Sequence, residues 1–227
     1  MLHVLTTGPS DARAHLVFAH GAGAPMDSAF LEKLAQSLAL CGIKTSRFEF
    51  EYMAQRRHTG IKRPPPKIER LAQEYHTVVG ALATLPGARL WIGGKSMGGR
   101  VASLIADELF ARGDIAGLVC VGYPFHPSGK PANLRVLHLA ALTCPALIVQ
   151  GDRDPLGNRA EVESYDLSGN IELEWLPDGD HDLMPRRTSG HTQSEHIAAA
   201  SAAIARLTAC HPGQARPLPG ADPEPST

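Results

Sequence analysis

A serine flanked by glycines two residues away on each side is the pattern in this chain best suited to chemistry. Residues 94–98 read Gly-Lys-Ser-Met-Gly, directly after an apolar run at 89–92 that predicts a strand and before a helical pattern at 98–110. At such a sharp strand-to-helix turn the serine oxygen stands out above the sheet, and the residues two before and two after it crowd each other, so both must be small. The context predicts that Ser96 is a nucleophile.

A serine hydroxyl is a weak nucleophile that needs a base, and the base needs an acid to orient it. The predicted strand at 146–150 is followed by Asp152 and Asp154, and the predicted strand at 171–176 is followed by His181. If these strands are parallel, their carboxyl ends meet at the edge that carries Ser96. We therefore expect His181 to be the general base. Asp154, which lies further along its loop, is preferred as the acid, and Asp152 is the alternative.

The remaining acids and histidines near these motifs are less well placed. Asp180 and Asp182 adjoin His181 and are interpreted as solvated turn residues. The other histidines considered are two expected to be exposed on or near the last helix, and two that precede the acid in the chain: His191, His196, His126 and His138. In the usual order of such sites the histidine follows the acid.

Two backbone segments are candidate donors to a developing oxyanion. The amide of Met97 opens the helix after the serine, and helix N-termini favour negative charge. Residues 20–24 read His-Gly-Ala-Gly-Ala after an early apolar strand, and the amide of Ala22 or Gly23 would be the second donor. The alternative for this segment is a plain strand-to-helix turn.

The tripeptide at 94–96, Gly-Lys-Ser, also resembles the end of a phosphate-binding loop. That motif requires a glycine five residues before Gly94, and position 89 is Arg89. The sequence therefore argues against nucleotide binding.

The elements that must position these residues alternate between strands and helices. Predicted strands lie at 15–20, 45–52, 89–92, 115–123, 146–150 and 171–176, and predicted helices at 28–40, 68–85, 98–110 and 193–208. This alternation predicts an α/β fold with a mostly parallel twisted sheet and helices on both faces. No segment is long enough for a cap domain.

Length and composition are those of one ordinary domain. The chain has 227 residues, of which 43% are hydrophobic and 20% charged, and its net charge is −1. We expect a single domain at 1–210 and a disordered tail at 211–227, which holds five prolines. The balanced charge, scattered cysteines and lack of a signal or long apolar run predict a cytoplasmic protein with reduced thiols in or near the core. It is expected to bind no nucleic acid, membrane, metal or cofactor; the oligomeric state stays open.

Positive charge is concentrated in a proline-rich segment at 56–67, interpreted as a loop. It leaves a strand at the edge that carries the serine, and in open α/β sheets ligands bind outside the carboxyl ends of strands. Arg56, Arg57 and Lys95 are therefore candidate contacts for a substrate that bears a carboxylate or phosphate. The alternative is a solvated loop with no role in binding.

Four segments together resemble a known family: 19–27 (Ala-His-Gly-Ala-Gly-Ala-Pro-Met-Asp), 94–100 (Gly-Lys-Ser-Met-Gly-Gly-Arg), 150–155 (Gln-Gly-Asp-Arg-Asp-Pro) and 179–183 (Gly-Asp-His-Asp-Leu). They are similar to the α/β-hydrolase-like domains of the KANL/Tex type, which are related more distantly to dienelactone hydrolases. The resemblance implies the α/β-hydrolase fold and a triad of Ser96, Asp154 and His181. Dienelactone hydrolases carry cysteine at the nucleophile position, where this chain has serine.

Two functions of different classes follow from these residues. The first is an esterase or related acyl hydrolase acting on a small ester or thioester without a cofactor. The second is a catalytically silent binding or scaffolding module, since some relatives of the family act as subunits of larger complexes. A complete set of nucleophile, base, acid and oxyanion donors favours the enzyme.

Overall fold

The computed structural model describes residues 3–83 and 89–211. Strands and helices alternate along most of this part of the chain, as the sequence predicts. In chain order the elements are β1 (Val4–Thr7), β2 (Ala14–Ala19), α1 (Ala29–Leu40), β3 (Ile43–Phe48), α2 (Glu51–Thr59), α3 (Ile68–Ala83), β4 (Arg89–Lys95), α4 (Met97–Ala111), β5 (Leu118–Val121), α5 (Leu137–Ala140), β6 (Ala146–Gly151), α6 (Arg159–Val162), β7 (Ile171–Leu176) and α7 (Gln193–Cys210).

Within these residues the strands form one sheet in the order β1-β3-β2-β4-β5-β6-β7. Strands β2 to β7 pair in parallel, and β1 adds to the edge antiparallel to β3. The mostly parallel sheet expected from the sequence is confirmed. Because β4 lies in the middle, the turn after it stands at the centre of the edge where the parallel strands end.

Two apolar cores lie on the two faces of the sheet. Successive residues of β2 alternate between them: Val17 belongs to the core that includes residues of α3 and α4, and Phe18 to the core that includes residues of α1 and α7. This alternation follows from the two-residue period of a strand, and burial on both faces explains the continuous apolar runs. The expected helices on both faces are therefore confirmed, and no cap domain is present among the described residues.

The segment after β3 differs from the prediction. The strand expected at 45–52 ends at Phe48, and part of the expected basic loop is helix α2. Phe48 is the last residue of β3, and Phe50 directly precedes α2. Phe50 continues the alternation because it is buried with Phe48, and both rings pack against Tyr75 with centroids 4.9 and 6.3 Å away. The helix ends at Gly60, whose φ of 72° is the left-handed conformation that glycine adopts readily.

Two of the four cysteines are buried, and the described part of the chain ends at His211. Apart from His211, the predicted tail lies outside the described residues, so the boundary at 210 stays a prediction. Cys120 and Cys144 are buried as expected, but Cys41 and Cys210 are exposed because they lie at helix ends. None of the helices within residues 3–83 and 89–211 has the length and hydropathy that crossing a bilayer requires.

Candidate active site

Ser96 occupies a strained turn between β4 and α4. Its backbone φ is +52°, a conformation that residues other than glycine rarely adopt. Ser96 is the residue immediately before the helix. The turn is too tight for larger neighbours: a Cβ on Gly94 would lie 2.4 Å from the backbone of Gly98, and one on Gly98 would lie 2.6 Å from the carbonyl oxygen of Ala19. The expected need for small residues on both sides is confirmed.

Ser96, His181 and Asp154 form a hydrogen-bonded chain. The Ser96 Oγ lies 2.9 Å from His181 Nε2, and His181 Nδ1 lies 2.8 Å from Asp154 Oδ2. A carboxylate accepts hydrogen bonds, so Nδ1 carries the proton and donates a hydrogen bond to Asp154. Nε2 is then left as an acceptor for the serine hydroxyl. The arrangement has the contacts needed to deprotonate Ser96 as it attacks a carbonyl carbon.

The choice between the two acids is explained by the loop after β6. Asp154 is fully buried, and its carboxylate also accepts hydrogen bonds from the side chain of Gln150 at 2.9 Å and the amide of Leu156 at 2.8 Å. These donors fix the carboxylate under His181. Asp152 does not take this place, and its Oδ1 is buried without a hydrogen-bond partner among the described residues.

Close packing of the loops after β6 and β7 brings the acid and the histidine together. A Cβ on Gly151 would lie 2.3 Å from the carbonyl oxygen of Gly179, and the amide of Arg153 donates to that same oxygen at 3.0 Å. The histidine loop is held from within by Asp180, whose Oδ1 accepts the amides of Asp182 at 2.8 Å and Met184 at 2.9 Å. Asp180 is therefore a turn residue, as interpreted from the sequence.

Both candidate oxyanion segments border the cavity at Ser96. The N–H of Met97 is the first of α4, and such a group has no acceptor within its own helix. Ala22 lines the same cavity as Ser96 and Met97, whereas Gly23 does not. The two ring nitrogens of His20 hold this segment: Nδ1 contacts the Gly21 carbonyl at 2.6 Å, and Nε2 accepts the amide of Phe50 at 3.2 Å. Since N–H and C=O of a trans peptide point in opposite directions, the Ala22 amide is turned away from His20.

Side chains of α2, the helix that sequence reasoning missed, support this segment from outside. The Tyr52 hydroxyl donates to the Ala22 carbonyl and Arg56 to the Gly23 carbonyl, both at 3.0 Å. Arg57 instead pairs with Asp27 at 2.8 Å and Glu49 at 2.6 Å. Neither arginine lines the cavity beside Ser96. The structure therefore does not bring Arg56 and Arg57 to the position expected of substrate contacts.

Lys95, the third predicted substrate contact, is buried. Its Nζ lies 3.2 Å from Asp182 Oδ1 and 5.7 Å from the centroid of the Phe30 ring. Burial lowers the pKa of Lys95, and Asp182 opposes that shift. Lys95 does not line the cavity. Asp182 is exposed to water, as interpreted from the sequence, and in addition pairs with Lys95.

The cavity beside Ser96 has a volume of about 430 Å³. Pro65 and Pro66 line it, so the proline part of the expected loop does reach the site although the arginines before it do not. The cavity also contains two arginines that sequence reasoning missed, Arg100 and Arg135. The position of Arg100, in the first turns of the helix that directly follows Ser96, was the signal that could have placed it near that serine.

The other histidines occupy different surroundings. His126 lines the cavity, and His138 lies 2.8 Å from the Ser103 hydroxyl. His191 is exposed as expected. His196 is buried, contrary to the expectation, since it lies on the part of α7 that packs against the loop after β7, where its Nδ1 contacts the carbonyl of Leu183 at 2.8 Å. Across residues 3–83 and 89–211, no three His, Cys, Asp or Glu side chains are grouped in a way that could hold a metal ion.

The fold and the sequence match known proteins over nearly the whole domain. A family model described as an alpha/beta hydrolase domain matches residues 12–209. This chain belongs to the α/β-hydrolase domain family. The match agrees with the resemblance carried by the four sequence segments.

Solved structures with the same fold include three of similar size. Est1E from Butyrivibrio proteoclasticus, with ferulic acid bound, is 16% identical, with coverage of 92% of this chain and 96% of that one and a TM-score of 0.67. Dienelactone hydrolase from Anabaena variabilis is 21% identical, with coverage of 92% and 91% and a TM-score of 0.67. An α/β serine hydrolase without lid from Xanthomonas campestris is 16% identical, with coverage of 89% and 88% and a TM-score of 0.60. At these identities the likeness establishes the fold.

Proposed function

We propose that this α/β-hydrolase is an acyl hydrolase that cleaves small esters or thioesters through a covalent acyl-enzyme on Ser96. The observation that carries the proposal is the continuous hydrogen-bonded chain from Ser96 Oγ through His181 to Asp154, with distances of 2.9 and 2.8 Å. A serine held at a strained φ of +52° with its base in contact adds support, because such strain persists only where the surrounding structure enforces it.

The chemistry proceeds in two steps. Ser96 Oγ attacks the substrate carbonyl while its proton passes to His181 Nε2, and the negative charge on the carbonyl oxygen is stabilised by the amides of Met97 and Ala22. His181 then protonates the leaving alcohol or thiol as the carbon–oxygen or carbon–sulfur bond breaks. In the second step a water molecule, deprotonated by His181, releases the acid and restores Ser96. Asp154 keeps the proton on Nδ1 and stabilises the imidazolium that forms in each step.

Gly23 was the alternative second donor, and the structure supports Ala22. Ala22 borders the cavity together with Ser96 and Met97, while Gly23 lies outside its lining. The Gly23 carbonyl is in turn occupied by Arg56. Arg56 would therefore act on the site through the backbone of this segment and not through contact with substrate.

The proposal is tested by labelling with a fluorophosphonate and by hydrolysis of p-nitrophenyl esters of increasing acyl length. The wild-type protein is expected to be labelled at Ser96 and to release nitrophenol with saturable kinetics. Ser96→Ala is expected to lose labelling and to lower kcat by about 10⁴ or more, with circular dichroism unchanged.

A silent binding or scaffolding module predicts the opposite results. In that case the wild-type protein is not labelled, and any slow ester hydrolysis is equal in wild type and Ser96→Ala. Such a result with a folded protein would reject the acyl hydrolase.

A further inference from the structure

Two arginines in the cavity beside Ser96 carry no counter-charge. Arg100 lies on α4 and Arg135 on the segment between β5 and α5. Eight other arginines pair with carboxylates, but neither of these guanidinium groups forms an ion pair or a side-chain hydrogen bond within residues 3–83 and 89–211. The Nε of Arg100 is buried and unpartnered. Both arginines are half-buried. Leaving a buried N–H such as that of Arg100 Nε without an acceptor is costly, so the arrangement points to a missing acceptor.

The two guanidinium groups also act on each other. Partial burial lowers the pKa of Arg135, and the charge of Arg100 lowers it further. Like charges held close together without an intervening carboxylate destabilise the free protein. An anion placed between them removes this repulsion and satisfies both donors, since a guanidinium binds a carboxylate through two parallel N–H groups.

The rest of the cavity wall suits an anion as well. None of the residues that line it in the described chain is Asp or Glu. Its other polar side chains beyond Ser96 include His126 and Ser128. Two carboxylates lie behind this wall, and both are engaged by other groups. That of Glu161 is 3.5 Å from His126 Nε2 and accepts the amide of Asn158 at 3.0 Å. That of Asp154 accepts the amide of the lining residue Leu156 at 2.8 Å and contacts His181. The cavity therefore has a net positive lining next to the nucleophile.

The position of the arginines indicates which part of the substrate carries the charge. Arg100 lies in the first turns of α4, and its amide donates to the carbonyl of Ser96, the residue before the helix, at 3.0 Å. His181, which must protonate the leaving group, does not line the cavity. The leaving group therefore lies toward His181 and solvent, and the acyl chain extends into the cavity toward the arginines.

We infer that Arg100 and Arg135 form a subsite for a carboxylate on the acyl chain, so that the substrate class is a half ester or half thioester of a dicarboxylic acid. The inference rests on the proposed function, because Ser96 defines the point of attack. It also relocates the expected recognition of an anionic substrate from Arg56 and Arg57 to residues inside the cavity.

The test compares two esters of matched length, p-nitrophenyl hydrogen adipate and p-nitrophenyl heptanoate. The ratio of their kcat/KM values is the readout, since it cancels effects on the triad. The kcat/KM for the adipate ester divided by that for the heptanoate ester is expected to fall by roughly 10- to 100-fold in Arg100→Gln, and by a similar factor in Arg135→Gln. This is the range for loss of a hydrogen bond to a charged group. Arg100→Lys keeps the charge and should retain part of the preference.

The matched control is Arg13→Gln, which removes the same charge from an exposed position at the opposite end of β2. The adipate-to-heptanoate ratio of kcat/KM in Arg13→Gln should equal that of the wild type within about twofold. Thermal melting of all variants checks that each one is folded. If the wild type has no preference for the adipate ester, or if the two cavity variants behave like Arg13→Gln, the subsite is rejected while the acyl hydrolase stands.

A binding measurement separates this inference from the proposed function. Titration of monomethyl adipate into Ser96→Ala in a calorimeter requires no catalysis. Binding that is lost in the double variant Ser96→Ala/Arg100→Gln, and kept in Ser96→Ala/Arg13→Gln, supports the subsite even if ester hydrolysis proves independent of Ser96. No binding to Ser96→Ala at millimolar ligand overturns it.

Discussion

Lys95 and Asp182 join the two segments that present Ser96 and His181, the proposed nucleophile and base. The Nζ of Lys95 lies 3.2 Å from Asp182 Oδ1; Lys95 immediately precedes Ser96, and Asp182 immediately follows His181. The lysine side chain is 8% exposed and the aspartate 66% exposed. A largely buried ammonium group thus holds an otherwise open loop, and this contact restrains the distance between Ser96 and His181 without touching the cavity.

The first prediction concerns this contact. In Lys95→Met the unbranched side chain still packs near Phe30, but the loop that carries His181 is released. Because small displacements of catalytic groups are costly, we expect kcat for ester hydrolysis to fall roughly 10- to 100-fold with KM little changed. Asp182→Asn should have an effect in the same direction. The control is Lys33→Met, an exposed lysine of α1.

The split between kcat and KM distinguishes two roles for Lys95. A rise in KM for anionic esters alone, with kcat unchanged, would show that Lys95 contacts substrate as the sequence suggested. Unchanged kinetics in both Lys95→Met and Asp182→Asn would show that the histidine loop is positioned without this pair.

Much of the candidate site could be predicted from the sequence because each of its residues is marked by the residues next to it in the chain. Ser96 follows an apolar strand and lies between two glycines, and the loops of Asp154 and His181 each follow a strand of regular pattern. In parallel sheets all these loops meet at one edge, so the order of strands did not need to be known. The same reasoning predicted the parallel sheet and the helices on both of its faces.

The missed features depend on contacts between distant segments. Helix α2 was interpreted as a loop because its first residues follow Phe48 and Phe50, whose alternation imitates a strand, and because its basic last turn stands before three prolines. The burial of Lys95 and the salt bridge to Asp182 depend on the way that β4 and the loop after β7 pack. Sequence periodicity does not encode such partners.

The second prediction tests the choice between the two acids with matched variants. Asp154→Asn removes the carboxylate that holds the Nδ1 proton of His181, and we expect kcat to fall by about 10⁴, as in other enzymes with this arrangement. Asp152→Asn makes the same chemical change on the same loop, at a residue whose Oδ1 has no partner among the described residues. Its kcat should stay within a few-fold of wild type. Equal losses in both variants would count against Asp154 as the orienting acid.

The third prediction concerns the strain stored at the nucleophile. Ser96 has a φ of +52°, which glycine adopts readily and alanine does not. Ser96→Gly should therefore be more stable than Ser96→Ala by about 1 kcal/mol or more in the free energy of unfolding, measured by denaturant titration. Both variants should be inactive. If their midpoints of unfolding coincide, the backbone at this turn relaxes when the serine is removed.

The last prediction concerns His15, a buried residue of β2 far along the chain from the candidate site. The residue is 5% exposed, and its Nε2 lies 2.7 Å from the Ser46 hydroxyl on β3. Burial, helped by the charge of Lys44, lowers the pKa of His15 from 6.5 to about 4. The folded protein therefore resists protonation that the unfolded chain accepts, and stability present above pH 6.5 is lost as the pH falls toward 4.

For a shift of this size the loss between about pH 7.5 and about pH 5 amounts to roughly 2 kcal/mol in the free energy of unfolding. His15→Gln has no titrating ring, so its stability should fall less than that of the wild type over this range, by about that difference. Urea titrations at both pH values measure it, and taking differences from the wild type cancels the other titrating groups. His58→Gln, at an exposed position of α2, is the control and should follow the wild type. If His15→Gln and His58→Gln lose equal stability on acidification, protonation of His15 is not coupled to unfolding.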